Sequence, residues 1–309
     1  MALRIIFFGT SKFALPSLDA IADSVHQIEG IVTAPDAIRR GVPMTTPVRQ
    51  WAHQKGVEVV TPPSPHDARL LKWLHDKGAD LFLVIAYKKL PPQIWKMPPN
   101  GTVNLHASLL PDYRGAAPIH HAIIAGESWT GVTTFYITHG IDTGDIIFQE
   151  KVAIEPDETF GSLHDKLATV GARLVIKTLD AIANSTAPRH PQRMKSVKKA
   201  PKLTKAFCRI QWQQPAELID RMVRGLSPMP GAWTMWGGRQ VRILGGRPCR
   251  SGHPLLPGHF RVKGRHLEVG TGTPEYVYQV SEIHFSGKRP MATADAICGR
   301  LLAREGVFG

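Results

Sequence analysis

Residues 4–24 read RIIFFGTSKFALPSLDAIADS, an apolar strand, a turn at Gly9 and Thr10, and a helix with apolar residues at helical spacing. The alternation continues with predicted strands in IEGIVTAP, VEVVTP, ADLFLVIAY, GTVNLH and GVTTFYIT. The predicted helices lie in PVRQWAHQKG, PHDARLLKWLHDKG, APIHHAIIAGE and TFGSLHDKLATVGARLVIKTLDAIANS. Alternating strands and helices are typical of an α/β domain with a largely parallel sheet. We therefore predict a Rossmann-like α/β domain over residues 1–189.

The remaining sequence has a different character. Residues 187–206, APRHPQRMKSVKKAPKLTKA, are rich in proline and basic residues and show almost no apolar periodicity, which indicates a linker. A predicted helix in AELIDRMVRGL follows, and then short alternating runs bounded by glycine or proline: QVRILGG, GHFRVKG, HLEVGTG and VYQVSEIHF. This pattern predicts a basic linker at 190–206 and a smaller OB-like β-barrel domain at 207–309.

The net charge of +13 on these 309 residues is unevenly distributed. Residues 1–189 hold 18 basic and 18 acidic side chains, whereas residues 190–309 hold 20 basic and 7 acidic ones. Clustered cations are the usual sign of a polyanion partner such as a nucleic acid. A basic surface that serves only solubility is the alternative.

Several classes of protein are disfavoured. No apolar run approaches the roughly 20 residues of a membrane span, and MALRIIFFGT lacks the layout of a signal peptide. The three isolated cysteines offer neither a zinc spacing nor a disulfide framework, so we expect a reducing cytoplasm. The turn FFGTSKF carries one glycine where a dinucleotide fingerprint needs three, and no P-loop motif is present, which argues against nicotinamide and nucleoside triphosphate enzymes.

The strand GTVNLH carries two polar side chains, Asn104 and His106. Side chains alternate along a strand, so both share one face, roughly 6.6 Å apart. Open α/β sheets bind ligands at the carboxyl ends of their strands, and Asp142 follows the next predicted strand. An amide can stabilise an oxyanion, an imidazole can carry a proton, and a carboxylate can orient the imidazole. With no obvious serine or cysteine nucleophile, these residues favour direct group transfer, although a single strand histidine is also commonly structural.

Three stretches, RIIFFGTSKFALPSL, NLHASLLPDYRGAAPI and GVTTFYITHGIDTGDII, resemble the folate-dependent formyltransferase family. APKLTKAFCRIQW and LSPMPGAWT are similar to the members that act on initiator methionyl-tRNA, and the resemblance extends from about residue 4 to about residue 244. It implies 10-formyltetrahydrofolate as co-substrate and the methionyl amine of initiator tRNA as acceptor. We also expect no metal and a monomer. Residues that match the family's catalytic set are Asn104, His106 and Asp142, and those that match its folate-contacting loop are Ser108, Leu109, Leu110 and Pro111.

The resemblance also indicates where tRNA would bind. Many members have a longer basic loop than TAPDAIRRGVPMTTPV, in which we predict acceptor-end contacts for Arg39 and Arg40. Lys202 and Lys205 are the candidates for phosphate contact in the linker. AYKKLPPQIW departs from the family because Lys88 replaces a common glycine.

Alternatives remain open at this stage. The same catalytic set would serve a formyltransferase acting on an amino-sugar nucleotide or a small-metabolite amine. A nucleic-acid-binding protein with an inactive α/β domain is a further possibility. Arg114 fits either a structural cation bonded to loop carbonyls or a folate contact, and Gly115 suggests close packing at a helix start. His120 and His121 diverge by about 100° on a helix, so they cannot easily chelate one metal together.

Overall fold

A computed structural model of the chain describes residues 1–39, 42–193 and 197–309. The chain divides into two compact units. The first comprises Met1–Pro118, Trp129–Ala153 and His164–Ala200, and the second comprises Ile119–Ser128, Ile154–Leu163 and Pro201–Gly309. In the described ranges, no helix combines the length and the apolar character that a membrane crossing requires.

The main sheet of the first unit contains, within the described residues, β1 (Arg4–Gly9), β2 (Gln27–Val32), β5 (Val59–Val60), β6 (Leu81–Ile85), β7 (Thr102–His106), β9 (Trp129–Tyr136) and β10 (Ile146–Ala153). Their order is β10-β9-β7-β6-β1-β2-β5. The pairs from β7 to β5 are parallel, whereas β9 is antiparallel to both β7 and β10. The predicted α/β domain with a largely parallel sheet is therefore confirmed. The sequence patterns did not predict β10.

Two short strand pairs accompany this sheet. Strand β3 (Ala37–Arg39) pairs with β4 (Val42–Met44), and β8 (Arg114–Gly115) pairs with β11 (Lys199–Ala200). The second pair is parallel and joins the segment after β7 to a stretch about eighty-five residues later. Part of the predicted linker therefore lies in a β-ladder of the first unit.

The helices that follow the strands are α1 (Leu15–Ala22, after a 3-10 turn at Lys12–Ala14), α2 (Pro47–Lys55), α3 (Ala68–Lys77), α4 (Pro92–Trp95), α5 (Pro118–Ala125) and α6 (Phe160–Ala183). Helix α2 shows why these bounds occur. The Thr46 hydroxyl accepts a hydrogen bond from the Arg49 amide at its start, and Gly56 ends it in the left-handed region with φ of 67°. The core strands β1 and β6 are almost entirely buried, as their apolar sequences predict.

The second unit contains helix α7 (Ala216–Leu226) and strands β12 (Ala232–Trp236), β13 (Arg239–Arg250), β14 (His259–Lys263), β15 (His266–Gly270), β16 (Tyr276–Phe285), β17 (Met291–Ala292) and β18 (Glu305–Val307), with α8 (Thr293–Cys298) after β17. The sheet order among described strands is β12-β13-β16-β15-β14-β18, with β17 beside β16. Met235 and Gly309 exchange backbone hydrogen bonds of 2.9 and 3.1 Å, so the chain after β18 returns to β12 and curls the sheet. The predicted small β domain is confirmed, although β12, β17, α8 and β18 were not predicted.

Candidate active site

Asn104 lies in the middle of β7, directly between Val84 of β6 and Phe135 of β9. Residues opposite each other in a ladder project from the same face of the sheet, so these three side chains form a row. Leu105 projects from the other face, where it packs against Gly171 of α6. A Cβ added at Gly171 would lie 2.7 Å from the Leu105 Cδ2 atom. Helix α6 therefore covers one face of β7 and leaves Asn104 on the other.

A cavity of about 300 Å³ lies over this row. Its lining combines the row with the segment after β6 and the loop after β9: Val84, Tyr87, Lys88, Lys89, Leu90, Asn104, Gly115, Ala116, Phe135, Ile137, Thr138, Gly140, Ile141 and Asp142. Among the described residues, the Asn104 amide has no protein hydrogen-bond partner, so its N–H groups are available to a ligand. The cavity thus offers an apolar wall with one uncommitted amide and one carboxylate.

His106 ends β7 and is 7% exposed. Its Nε2 atom lies 2.9 Å from the carbonyl oxygen of Tyr113. A carbonyl can only accept, so Nε2 carries a proton and donates it. In the neutral imidazole Nδ1 then has a free lone pair. The Tyr113 carbonyl therefore fixes the tautomer, whereas the sequence pointed to a carboxylate as the group that orients the ring.

Asp142 approaches the other side of this imidazole. Its Oδ2 atom lies 3.8 Å from His106 Nδ1, too far for a hydrogen bond but close enough to stabilise a positive charge on the ring. Both groups are largely buried, with 8% of the side-chain surface of His106 and 15% of that of Asp142 exposed, so solvent screens this attraction little. The pair can therefore accept a proton at Nδ1 and hold the resulting imidazolium.

The route that brings Asp142 to His106 differs from the sequence-based expectation. Because β9 runs antiparallel to β7, its carboxyl end at Tyr136 lies opposite Val103, away from the carboxyl end of β7. The loop after Tyr136 therefore has to return towards His106 along the cavity. Asp142 adopts a left-handed conformation with φ of 52° in this loop, which is uncommon for a residue other than glycine.

The Gly115 amide donates a 3.0 Å hydrogen bond to Asp142 Oδ2. Gly115 has φ of 126°, and a Cβ there would overlap the Ala200 carbonyl oxygen across the β8–β11 pair. The sequence suggested only a packing role for this glycine. Its conformation also aims an N–H at the carboxylate, a role that sequence spacing does not reveal.

The Tyr87 phenol, the Thr138 hydroxyl and two adjacent lysines add further polar groups to the cavity lining. Burial raises the pKa of Tyr87 to about 12, so the phenol stays neutral near pH 7. Lys88 and Lys89 are exposed, and neither forms an ion pair with any described residue. With Asp142 as the acidic group in the lining, the cavity rim has an excess of positive charge.

The residues matched to a folate-contacting loop, 108–111, lie outside the lining of this cavity. Ser108 is fully buried, and its hydroxyl donates a 2.6 Å hydrogen bond to the Asp112 carbonyl. The Thr133 hydroxyl donates to the Ser108 carbonyl and accepts from the Leu110 amide. These polar groups bind the protein itself, and folate contact by this loop stays a prediction.

The basic residues that we predicted to contact tRNA lie in different segments of the structure. Arg39 pairs with Val42 in the β3–β4 hairpin, while Arg40 lies outside the described residues. In the second unit Lys202 is exposed, and the Lys205 ammonium lies 5.5 Å from the centre of the Trp233 ring. The Arg209 guanidinium lies at the same distance from this ring, a contact that the sequence did not suggest.

His120 and His121 both contact backbone carbonyls in the second unit. His120 Nδ1 lies 2.7 Å from the Gly225 oxygen, and His121 Nε2 lies 2.9 Å from the Pro201 oxygen. The two rings bond to different segments. No group of three or more metal-ligating side chains occurs among residues 1–39, 42–193 and 197–309.

Comparison with known proteins identifies the family to which this chain belongs. The sequence model of the formyl transferase family matches residues 3–179, and that of the formyl transferase C-terminal domain matches residues 202–301. The chain belongs to the formyl transferase family, so the predicted resemblance is confirmed.

Individual relatives in this family are similar to the chain over nearly its full length. The chain is 40% identical to the methionyl-tRNA formyltransferase of Salinispora arenicola, over 95% of this chain and 96% of that protein. It is 42% identical to the methionyl-tRNA formyltransferase of a Parafrankia species, over 96% and 97% of the two chains.

Solved structures share the fold at lower identity. HypX from Aquifex aeolicus, in complex with tetrahydrofolic acid, matches with a TM-score of 0.68 and 17% identity, over 96% of this chain and 47% of that one. The sugar 3N-formyl transferase WlaRD matches with a TM-score of 0.65 and 17% identity, over 94% of this chain and 100% of that one. At these identities the likeness concerns the fold alone.

Proposed function

We propose that this chain transfers a formyl group from 10-formyltetrahydrofolate to the α-amino group of methionine on initiator tRNA, a step of translation initiation. The observation that carries the proposal is the similarity to methionyl-tRNA formyltransferases, at 36–42% identity and over nearly the full length of both chains. Because this similarity includes the basic C-terminal part, it extends beyond a shared catalytic fold.

The cavity over Asn104 suits the formyl-bearing end of the folate. The side chains of Val84 and Phe135 supply apolar surface, and the half-buried Tyr87 adds an aromatic ring. Lys88 and Lys89 place positive charge at the rim, which complements the carboxylates of a folate tail. No metal is needed for this transfer, because the amide and the imidazole can supply the polar assistance.

The proposed chemistry follows from the geometry of three residues. The neutral amine attacks the formyl carbon, a C–N bond forms, and Asn104 donates a hydrogen bond to the resulting oxyanion. His106 accepts the proton of the attacking amine at Nδ1, because Nε2 is held by Tyr113. Asp142 stabilises the imidazolium. The same proton then moves to the folate nitrogen as the C–N bond to it breaks.

The tRNA would be held by the basic C-terminal part. We propose residues 1–189 as the catalytic domain, 190–206 as a basic linker and 207–309 as the tRNA-binding domain. Trp233, with Lys205 and Arg209 beside its ring, combines aromatic surface and charge as single-stranded nucleic-acid sites do. A groove of about 560 Å³, lined in part by Arg247, Arg265 and His266, adds further positive charge.

Contacts from Arg39, Arg40, Lys202 and Lys205 to tRNA, and from the 108–111 loop to folate, are part of the same proposal. We also propose that the protein is cytoplasmic, because the acceptor tRNA is aminoacylated and used in that compartment. We further propose that it is a monomer. A single species of the mass of one chain, measured by light scattering, would support the monomer.

A two-acceptor assay tests the function. The purified chain is incubated with radiolabelled 10-formyltetrahydrofolate and either methionyl initiator tRNA or a nucleotide-linked amino sugar. We expect label on the tRNA alone, and weaker tRNA binding as salt is raised. Label on the amino sugar alone would overturn the proposal in favour of a sugar formyltransferase, and label on neither would argue against formyl transfer altogether.

A further inference from the structure

Gln192, within the predicted linker, makes four side-chain hydrogen bonds. Its Oε1 atom accepts from Nε and Nη2 of Arg114, and its Nε2 atom donates to the carbonyl oxygens of Asp142, at 3.1 Å, and Gly144, at 2.7 Å. This side chain therefore uses both ends of its amide to connect the segment after β7 with the loop that carries Asp142.

The backbone leading to Gln192 is also fixed. His190 and Ile146 exchange two backbone hydrogen bonds of 2.9 Å, which align the chain beside the start of β10. This fixes the backbone two residues before Gln192, so the side-chain amide of Gln192 extends to the Asp142 loop from a defined backbone position. The side chain is half-buried, so competition from water is reduced.

These contacts restrain Asp142 at two points. Gly115 donates to its carboxylate, while Gln192 donates to its main-chain carbonyl. Gln192 is in turn held by Arg114, which is joined to Gly115 by a peptide bond, so this covalent link and the hydrogen bonds connect the four residues in a closed ring. Such a ring can maintain the left-handed backbone of Asp142, which costs free energy when it is unsupported.

We propose that Gln192 is a positioning residue for the active site, which holds the carboxylate of Asp142 beside His106. This inference rests on the proposed formyl transfer for its kinetic consequence. Loss of the two donated hydrogen bonds frees the loop, and Asp142 then no longer stabilises the imidazolium. A displacement of the Asp142 carboxylate by about 1 Å lowers the rate of the chemical step by roughly 10- to 100-fold.

Two substitutions separate the function of Gln192 from its packing. Gln192→Ala removes all four hydrogen bonds. Gln192→Glu keeps the contact with Arg114 but presents an oxygen to the carbonyls of Asp142 and Gly144, so it breaks only the restraint on the loop. We expect both variants to lose kcat while the KM for tRNA is unchanged, and Gln192→Glu to keep the melting temperature of the parent. Gln54→Ala, the same change at an exposed position of α2, should match the parent in every measurement.

A double-mutant comparison tests whether the effect acts through Asp142. If it does, adding Gln192→Ala to Asp142→Asn should lower kcat no further. The proposal would be overturned if the double variant lost kcat by the product of the two single losses, or if Gln192→Glu kept the parental kcat.

Hydrogen exchange supplies a readout that does not depend on activity. In Gln192→Ala the amides of residues 138–144 should exchange faster than in the parent and in Gln54→Ala. Unchanged exchange would refute the positioning role even if the parent formylates tRNA. Faster exchange in a chain that fails to formylate tRNA would support the role and reject the proposed function instead.

Discussion

The Nε2 atom of His106 donates its proton to the Tyr113 carbonyl, 2.9 Å away, and so leaves Nδ1 to face Asp142 at 3.8 Å. The imidazole therefore has one nitrogen committed to structure and one available for chemistry. Tyr113 adopts φ of 59°, so an unusual backbone conformation brings its carbonyl into place. In the proposed mechanism, a main-chain group therefore decides which nitrogen of His106 carries the proton.

His106→Ala removes the proton carrier, and we expect kcat for formyl transfer to fall by about 100- to 10,000-fold. The fold should survive, because the other residues of β7 keep their backbone pairing with β6 and β9. Single-turnover kinetics with methionyl initiator tRNA measure the effect, and circular dichroism checks the fold. A folded variant with near-parental turnover would contradict the assignment of His106.

Asn104→Ala should lower kcat by about 100- to 1,000-fold, since it removes the hydrogen-bond donor to the developing oxyanion. Asn104→Asp has nearly the same size but replaces the donor by a negative charge, so it should be at least as impaired. Binding of the folate donor, measured by fluorescence quenching, should change far less than kcat. An active Asn104→Asp enzyme would exclude the oxyanion role.

Gly115→Ala should destabilise the first unit by about 1–3 kcal/mol, because the new Cβ meets the Ala200 carbonyl and strains the positive φ. It should also lower kcat, because the Gly115 amide then moves away from Asp142. Gly252→Ala is the matched control, since a Cβ there has open space within 4 Å. Urea denaturation of the three proteins compares their stability, and equal midpoints would show that β8 tolerates a side chain.

Lys88→Ala and Lys89→Ala should each raise the KM for 10-formyltetrahydrofolate by roughly two- to fivefold, as expected for exposed charge pairs. The effect should shrink at high salt. Lys96→Ala removes an exposed lysine outside the cavity and should leave KM unchanged. If all three variants behave alike, the rim lysines do not bind the acidic tail.

Tyr87 should make stability fall as pH rises above 10. Its pKa is about 12 in the folded chain and near the ordinary value of about 10 in the unfolded chain. The folded state then holds more protons between these values, so this contribution is complete below pH 10 and is lost towards pH 12. Denaturant midpoints at pH 9 and 11 measure the decline, which should be smaller in Tyr87→Phe. An identical decline in that variant would assign it to other groups.

Sequence patterns were most informative where local physics decides structure. The apolar runs of β1 and β6 predicted buried parallel strands, because such strands bury both faces. The alternation in β7 predicted that Asn104 and His106 share a face, because side chains alternate along any strand. Strand β10 was not predicted, because the stretch ITHGIDTGDII was interpreted as one loop although its last two residues are the first two of β10.

By itself the sequence determined the α/β fold, the basic C-terminal part, and the residues Asn104, His106 and Asp142 as one candidate set. Only the tertiary structure decided how they are arranged. The antiparallel direction of β9 sends the Asp142 loop back along the cavity, and Gly115 and Gln192 hold it there. The Tyr113 carbonyl, seven residues from His106, selects the tautomer. Periodicity records which way a side chain faces, whereas hydrogen bonds between distant segments depend on how the folded chain brings them together.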